Sequence, residues 1–356
     1  MREIGSEFWE TETDFASLTG RKTYLAGRTA LTAVIVDMKS RGIKKVSLPD
    51  YCCESMIEPF LRQDMKFAFY PIRKSDSGME CLLESSSDCE AVMLVNYFGF
   101  MSRNMKSLIR ECRQAGKTVI LDQTHAVFTD DQDYQADYIF GSYRKWTGLE
   151  AGFVSCRNER NLITWPFNQN GLDYLSLRNH ARKTKALFVN DDYKDEVLRS
   201  EQLSLFEKAE KLLDREYLSD TDDVNKFLLN SLDKVSITEQ RKKNARIIYS
   251  WLSRLRLCKP VFPVLGEEVI PLTVPILVSE GRRNSLRVYL REHGVFCPIH
   301  WSLSPLHKSG EGALQVFRNE VSLVCDQRYE ESDMVRMMEV VEKWEKSHPH
   351  DRDWFC

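Results

Sequence analysis

The chain has 356 residues, 42% of them hydrophobic and 29% charged, with a formal net charge of −3. That is enough for a large core and predicts two domains, because single cores rarely grow beyond about 250–300 residues. The small net charge gives no reason to expect nucleic acid or an anionic membrane as partner, and no apolar run approaches the roughly 20 residues that span a bilayer.

The first ten residues are acidic and lack an apolar signal core, so a cytoplasmic protein is expected. Ten cysteines are scattered from Cys52 to Cys356, with no Cys-x-x-Cys pair and no histidine at ligand spacing. This pattern predicts reduced, mostly buried thiols and no metal site.

In chain order, 27–41 reads as a helix entered through Gly27 and closed by Gly42, apolar enough to be buried against a sheet. A short strand is expected over 45–48, a helix over 54–61 and a strand over 66–70. The run 91–95 is apolar throughout and fits a buried parallel strand. A helix over 105–115 leads to a strand over 118–121, and strands over 137–140 and 153–156 complete the set. Strands alternating with helices predict a wound, mainly parallel sheet.

After Gly171 the character changes to helices, over 172–189, 194–216, 224–232 and 238–257. A loop-rich joint over 259–271 precedes a strand over 272–278, a helix over 283–293, a strand over 319–324 and an amphipathic helix over 332–346. The tail beyond Ser347 is expected to fray. The mixed C-terminal stretch makes a second, smaller domain plausible.

Three places carry candidate chemistry. Gly27, Arg28 and Thr29 open a helix, where free amides, a hydroxyl and a guanidinium suit a phosphate, without the spacing of a P-loop or dinucleotide fingerprint. Val119-Ile-Leu121 delivers Asp122 to a strand end, with His125 three residues on. A carboxylate there suits a protonated ring nitrogen. Ser142 and Lys145 follow the next strand, and a lysine held at a strand-to-loop junction is a candidate for Schiff-base chemistry if its pKa is lowered. Taken singly, each also fits an ordinary role: a glycine-initiated helix, an N-cap, a core histidine, a solvated turn lysine. Together they supply the anion cradle, acid partner and amine that pyridoxal phosphate (PLP) requires.

Order and spacing of these residues resemble the DegT/DnrJ/EryC1/StrS family of PLP-dependent aminotransferases. Gly27-Arg-Thr-Ala-Leu31 stands where that family has Gly-Thr-x-Ala-Leu. Leu48-Pro-Asp-Tyr51, Val95-Asn-Tyr-Phe-Gly99, Leu121-Asp-Gln-Thr-His-Ala126 and the Ser142 to Lys145 segment match further elements. Gly294-Val, Pro298-Ile-His-Trp301 and Ser322-Leu-Val-Cys-Asp-Gln-Arg-Tyr329 resemble its small-domain signatures.

The resemblance implies an α/β fold of type I. It would have a large PLP-binding domain (1–235) with a mainly parallel seven-stranded sheet flanked by helices, and a smaller α+β domain (236–356). It implies that Lys145 forms the internal aldimine and shuttles the proton, that Asp122 binds the pyridine nitrogen, and that His125 lies near the ring. Gly27, Arg28, Thr29 and Ser142 would bind the phosphate. It further implies transamination from an amino donor such as glutamate to a nucleotide-linked keto-sugar, in a homodimer with the active site at the interface. Another PLP-dependent reaction and a non-catalytic homologue are the alternatives.

The chain also departs from the family pattern. Arg28 replaces a threonine, and only Tyr143 and Arg144 separate Ser142 from Lys145. Cys53 occupies the position usually held by the aromatic that stacks on the cofactor, leaving Tyr51 or Tyr97 as substitutes. Asn190 is the nearest candidate for the partner-subunit asparagine, and His300 and Trp301 are candidates for the substrate pocket.

Overall fold

The computed structural model describes residues 2–9, 21–83, 88–129, 134–158 and 160–348. The tail from 349 onward, expected to fray, lies outside the described residues, as does Cys356.

A two-residue strand β1 (Ile4–Gly5) and the strand β2 (Lys22–Tyr24) precede helix α1 (Gly27–Ser40). Ala30, Leu31, Ala33, Val34, Ile35 and Met38 of α1 are all buried, so this helix packs on the sheet rather than on solvent. Each large aliphatic side chain buried there contributes about 1.5–3 kcal/mol. Strand β3 (Lys45–Pro49), helix α2 (Glu54–Arg62), strand β4 (Lys66–Tyr70) and the hairpin β5 (Ile72–Ser75) and β6 (Gly78–Cys81) follow. Next come β7 (Ala91–Val95), buried at every position, then α3 (Ser102–Gln114), β8 (Thr118–Asp122), β9 (Tyr138–Ser142) and β10 (Gly152–Cys156).

Seven of these strands form one sheet in the order β2-β10-β9-β8-β7-β3-β4. The neighbours from β9 through β4 pair in parallel; β10 runs antiparallel to both β9 and β2. Their carboxyl ends therefore share one edge, where α/β sheets bind ligands.

The helical stretch comprises α4 (Gln169–Asn190), α5 (Glu196–Arg215), α6 (Asp223–Leu229) and α7 (Lys234–Leu252). Each begins at an acidic or amide N-cap: Asn168, Asp195, Asp222 and Asp233 accept backbone N–H groups of their first turns. The Asp233 cap explains why α7 starts four residues ahead of the expected 238. The C-terminal part holds β11 (Cys258–Pro260), β12 (Thr273–Val278), α8 (Arg283–Glu292), β13 (Val295–Phe296), α9 (Glu311–Asn319), β14 (Glu320–Val324) and α10 (Glu331–Lys346). A three-stranded antiparallel sheet, β11-β12-β14, packs with α7, α8 and α10 around its own core of Val274, Ile276, Leu323, Met337, Met338 and Trp344.

Several elements were not expected from the sequence. β1 pairs in parallel with β13, nearly 300 residues away, and two-residue strands carry no periodicity to read. The β5–β6 hairpin and α9 were likewise unread, and α9 fills part of what looked like a loop over 297–312. The nine described cysteines are all free. No helix among the described residues is long and apolar enough to cross a membrane.

Candidate active site

Lys145 owes its position to the link between β9 and β10. These strands pair antiparallel from Ser142↔Gly152 to Tyr138↔Cys156, and the Tyr143 N–H extends the ladder to the Ala151 carbonyl. Between them Tyr143–Lys145 forms one 3-10 turn, with the Trp146 N–H bonded to the Tyr143 carbonyl. Ser142 caps this turn in an extended conformation and Lys145 ends it, and both line the same cavity. Trp146, fully buried, anchors the turn through Nε1, which donates to the Thr124 carbonyl at 2.7 Å.

The Lys145 amine lies 3.2 Å from His125 Nε2. On the other side of that ring, Nδ1 accepts the backbone N–H of Phe98 at 3.3 Å. Phe98 follows β7 with φ 57°, an uncommon left-handed conformation, and Gly99 follows with φ 87°. A Cβ on Gly99 would fall 2.3 Å from the Ile270 carbonyl oxygen, so glycine is required there. The turn thus aims one N–H at His125, a role the sequence did not announce.

Burial pushes the Lys145 pKa down, with Cys53 and Asp122 opposing the drop, and burial together with Lys145 and His300 holds His125 well below the usual histidine range. With Nδ1 accepting from Phe98, the neutral His125 carries its proton on Nε2 and donates it to Lys145. Accepting that proton uses the amine's lone pair, and the lowered Lys145 pKa favours this nucleophilic form.

Asp122 ends β8 behind three fully buried residues, Val119, Ile120 and Leu121. Its Oδ1 accepts the Thr124 N–H at 2.7 Å, closing a local Asx turn. Burial raises its pKa, while the Thr124 bonds and the Lys145 charge oppose the rise. A carboxylate with that proton affinity suits an N–H cation.

At the far side of the cavity stands the first turn of α1. Its N-cap, Ala26, offers no side chain to the helix, and the amides of Gly27, Arg28 and Thr29 have no hydrogen-bond acceptor among the described residues. The helix can sit so close because position 152 is glycine: a Cβ there would fall 2.2 Å from the Ala26 carbonyl oxygen. Gly27 in turn lies against Ser142, whose Cβ would be 3.1 Å from a Cβ at position 27.

Gly27, Arg28, Cys53, Asp122, His125, Ser142 and Lys145 thus line one cavity, joined by Ser55, Thr124, Glu150 and Trp301. It holds about 80 Å³ of free space, and Lys145 also lines an adjoining cleft of about 890 Å³. Thr29 does not line it; its hydroxyl donates to the Tyr217 carbonyl at 2.6 Å inside the packing of α1. Arg28 lines the cavity with its guanidinium held by Asp214 at 2.6 Å and Glu58 at 3.6 Å.

Cys53 is the N-cap residue of α2, its sulfur 3.0 Å from the Ser55 hydroxyl. Tyr51 and Tyr97, the other candidate stacking rings, are fully buried, bonded to each other through the Tyr97 hydroxyl and the Tyr51 carbonyl, and do not line the cavity; they pack behind Trp301. Phe140 and Trp301 do line it, Trp301 being stacked on His125 at 5.3 Å and 5.6 Å from the Lys145 amine. Asn190 is exposed at the end of α4.

No family model and no curated protein sequence matches this chain. Solved structures do. PseC of Helicobacter pylori, an aminotransferase involved in the biosynthesis of pseudoaminic acid, superposes over 93% of this chain and 88% of its own, with a TM-score of 0.63 at 15% identity. A DegT DnrJ EryC1 StrS aminotransferase from Brucella abortus matches over 92% and 86%, with a TM-score of 0.61 at 14% identity. The chain has the fold of these aminotransferases. NtdA of Bacillus subtilis, solved with bound cofactor PMP, matches over 92% of this chain and 74% of its own, with a TM-score of 0.63 at 13% identity. At such identities the likeness speaks for the fold, and the residues of this chain carry the chemistry.

Those residues fit PLP. The uncapped N-terminus of α1 and the Ser142 hydroxyl, which has no partner among the described residues, suit its phosphate. Asp122 suits its pyridine nitrogen, and the Lys145 amine its aldehyde.

Proposed function

We propose that the chain is a PLP-dependent aminotransferase that passes an amino group, from glutamate or a similar donor, to a nucleotide-linked keto-sugar. The observation that carries the cofactor reading is the Lys145 amine, 3.2 Å from His125 Nε2 and lining one cavity with Asp122, Ser142 and the first turn of α1. The sugar-nucleotide acceptor rests on the motif resemblance and is supported by the fold shared with the sugar aminotransferase CalS13 of Micromonospora echinospora.

PLP, when bound, supplies an aldehyde for the amine and a protonated ring that spreads carbanion charge. The chain's own residues do the rest. The α1 amides, Gly27 and Ser142 hold the phosphate. Asp122 keeps a proton on the ring nitrogen. Lys145, its pKa lowered by burial, takes and returns the proton at the substrate carbon. His125 orients the amine through Nε2. A homodimer that completes the site belongs to the same proposal.

Purified protein loaded with PLP should lose its visible absorbance on addition of glutamate and gain that of the pyridoxamine form. Failure with glutamate and every other common amino donor would contradict transamination; a protein that takes up no PLP would contradict the cofactor.

A further inference from the structure

Beside the cavity, three polar side chains of the C-terminal part form a buried chain. His300 Nδ1 lies 2.8 Å from the Ser322 hydroxyl, which donates to Glu320 Oε1 at 2.5 Å. The other carboxylate oxygen, Oε2, accepts the His300 backbone N–H at 2.6 Å. All three residues are buried, Ser322 completely. His300 lines the 890 Å³ cleft together with Lys145, and its ring is 4.9 Å from that of His125. Its Nε2 has no hydrogen-bond partner among the described residues.

One hydroxyl cannot give its single proton both ways. If Ser322 donates to Glu320, it must accept from His300 Nδ1–H, and Nε2 is left as an acceptor. If Glu320 carries a proton, that proton belongs on Oε1, because Oε2 is taken by a backbone N–H. It then goes to Ser322, Ser322 donates to Nδ1, and Nε2–H becomes a donor. We propose that Glu320, acting through Ser322, sets the tautomer of His300 and so decides whether its Nε2 offers a hydrogen-bond acceptor or donor to the ligand in the cleft beside Lys145. Glu320 and Ser322 are then positioning residues, and His300 reads the ligand. The role for a ligand rests on the proposed function; the tautomer control does not.

Burial pushes the Glu320 carboxyl up to about 8, which puts the reversal within reach of ordinary pH. The groups facing this chain are Arg283 and Arg287 from α8, Tyr51 beyond β3, Cys297 beyond β13, and Lys145 and His125 against His300. The two arginines oppose the rise without cancelling it. Burial and Lys145 keep His300 well below the usual histidine range, so the ring stays neutral and only its tautomer changes.

The test is side-chain 15N NMR of the seven histidines in the full-length protein, with and without PLP, His300 being assigned with His300→Gln. The wild type should show Nδ1–H at pH 9 and Nε2–H at pH 6. Glu320→Gln, whose amide can accept the backbone N–H and donate to Ser322, should show Nε2–H at both. Ser322→Ala should uncouple the tautomer from pH, with circular dichroism checking that both variants fold. A His300 tautomer that is the same at both pH values in the wild type, or a Glu320→Gln spectrum matching wild type at pH 9, would overturn the proposal. PLP absorbance, read on the same samples, separates that failure from failure of the cofactor reading.

Discussion

Lys145 Nζ sits 3.2 Å from His125 Nε2, and the Phe98 amide on the opposite ring nitrogen decides which of the two carries the proton. The contact spans two strands: His125 follows β8 and Lys145 follows β9, paired in parallel at Asp122↔Phe140. Neither residue is a surface group that happens to meet the other. Both are placed by the strands they follow, and burial lowers the pKa of both, His125 well below its usual range.

Asp122→Asn keeps the Thr124 turn, since an amide oxygen also accepts the N–H. The variant should fold and bind PLP, yet react with glutamate roughly a hundredfold or more slowly in stopped-flow absorbance. A rate within a few-fold of wild type would mean that another group partners the ring nitrogen.

Gly152→Ala places a methyl 2.2 Å from the Ala26 carbonyl, and backbone must move to make room. The expected cost is about 1–3 kcal/mol in urea denaturation. Because the displaced element is the phosphate-facing turn of α1, PLP affinity should fall with it. A loss of stability without loss of affinity would separate α1 from the phosphate site.

Arg28 was expected to bind phosphate, and its guanidinium is already shared by Asp214 and Glu58. Arg28→Ala should therefore change PLP affinity, followed by absorbance titration, only a few-fold. A loss of about a hundredfold would restore the guanidinium as a phosphate ligand.

Glu320 binds its proton more tightly folded than unfolded, so its contribution is fully present below the ordinary carboxyl pKa of 4.5 and is lost as pH rises to about 8. At about 1.4 kcal/mol per unit, up to about 5 kcal/mol disappears across that window. Glu320→Gln has no charge to bury. Its unfolding free energy should fall less than wild type's between pH 5 and pH 8.5, and parallel profiles would contradict the assignment.

The parallel strands β3, β4, β7, β8 and β9, and the buried helix α1, were legible because continuous apolar runs leave little alternative. Asp122 and Lys145 were legible as positions at strand ends. What the sequence hid was relational. The 3-10 turn that makes the Ser142 to Lys145 spacing work depends on the β9–β10 ladder. The Phe98 amide depends on a left-handed residue that no composition announces. Thr29 looked like a phosphate ligand because it stands in the right turn, and its hydroxyl faces Tyr217 instead. Trp301 reaches the cavity from the C-terminal part, more than 150 residues from Lys145, and only the fold brings them together.

The central claim is that Lys145 is the residue that holds PLP. Borohydride reduction of the PLP-loaded protein, followed by peptide mass spectrometry, tests it directly. A pyridoxyl group fixed on Lys145, and absent from the Lys145→Ala protein, is the predicted result. A label on another lysine, or none on a folded wild-type protein saturated with PLP, would contradict it.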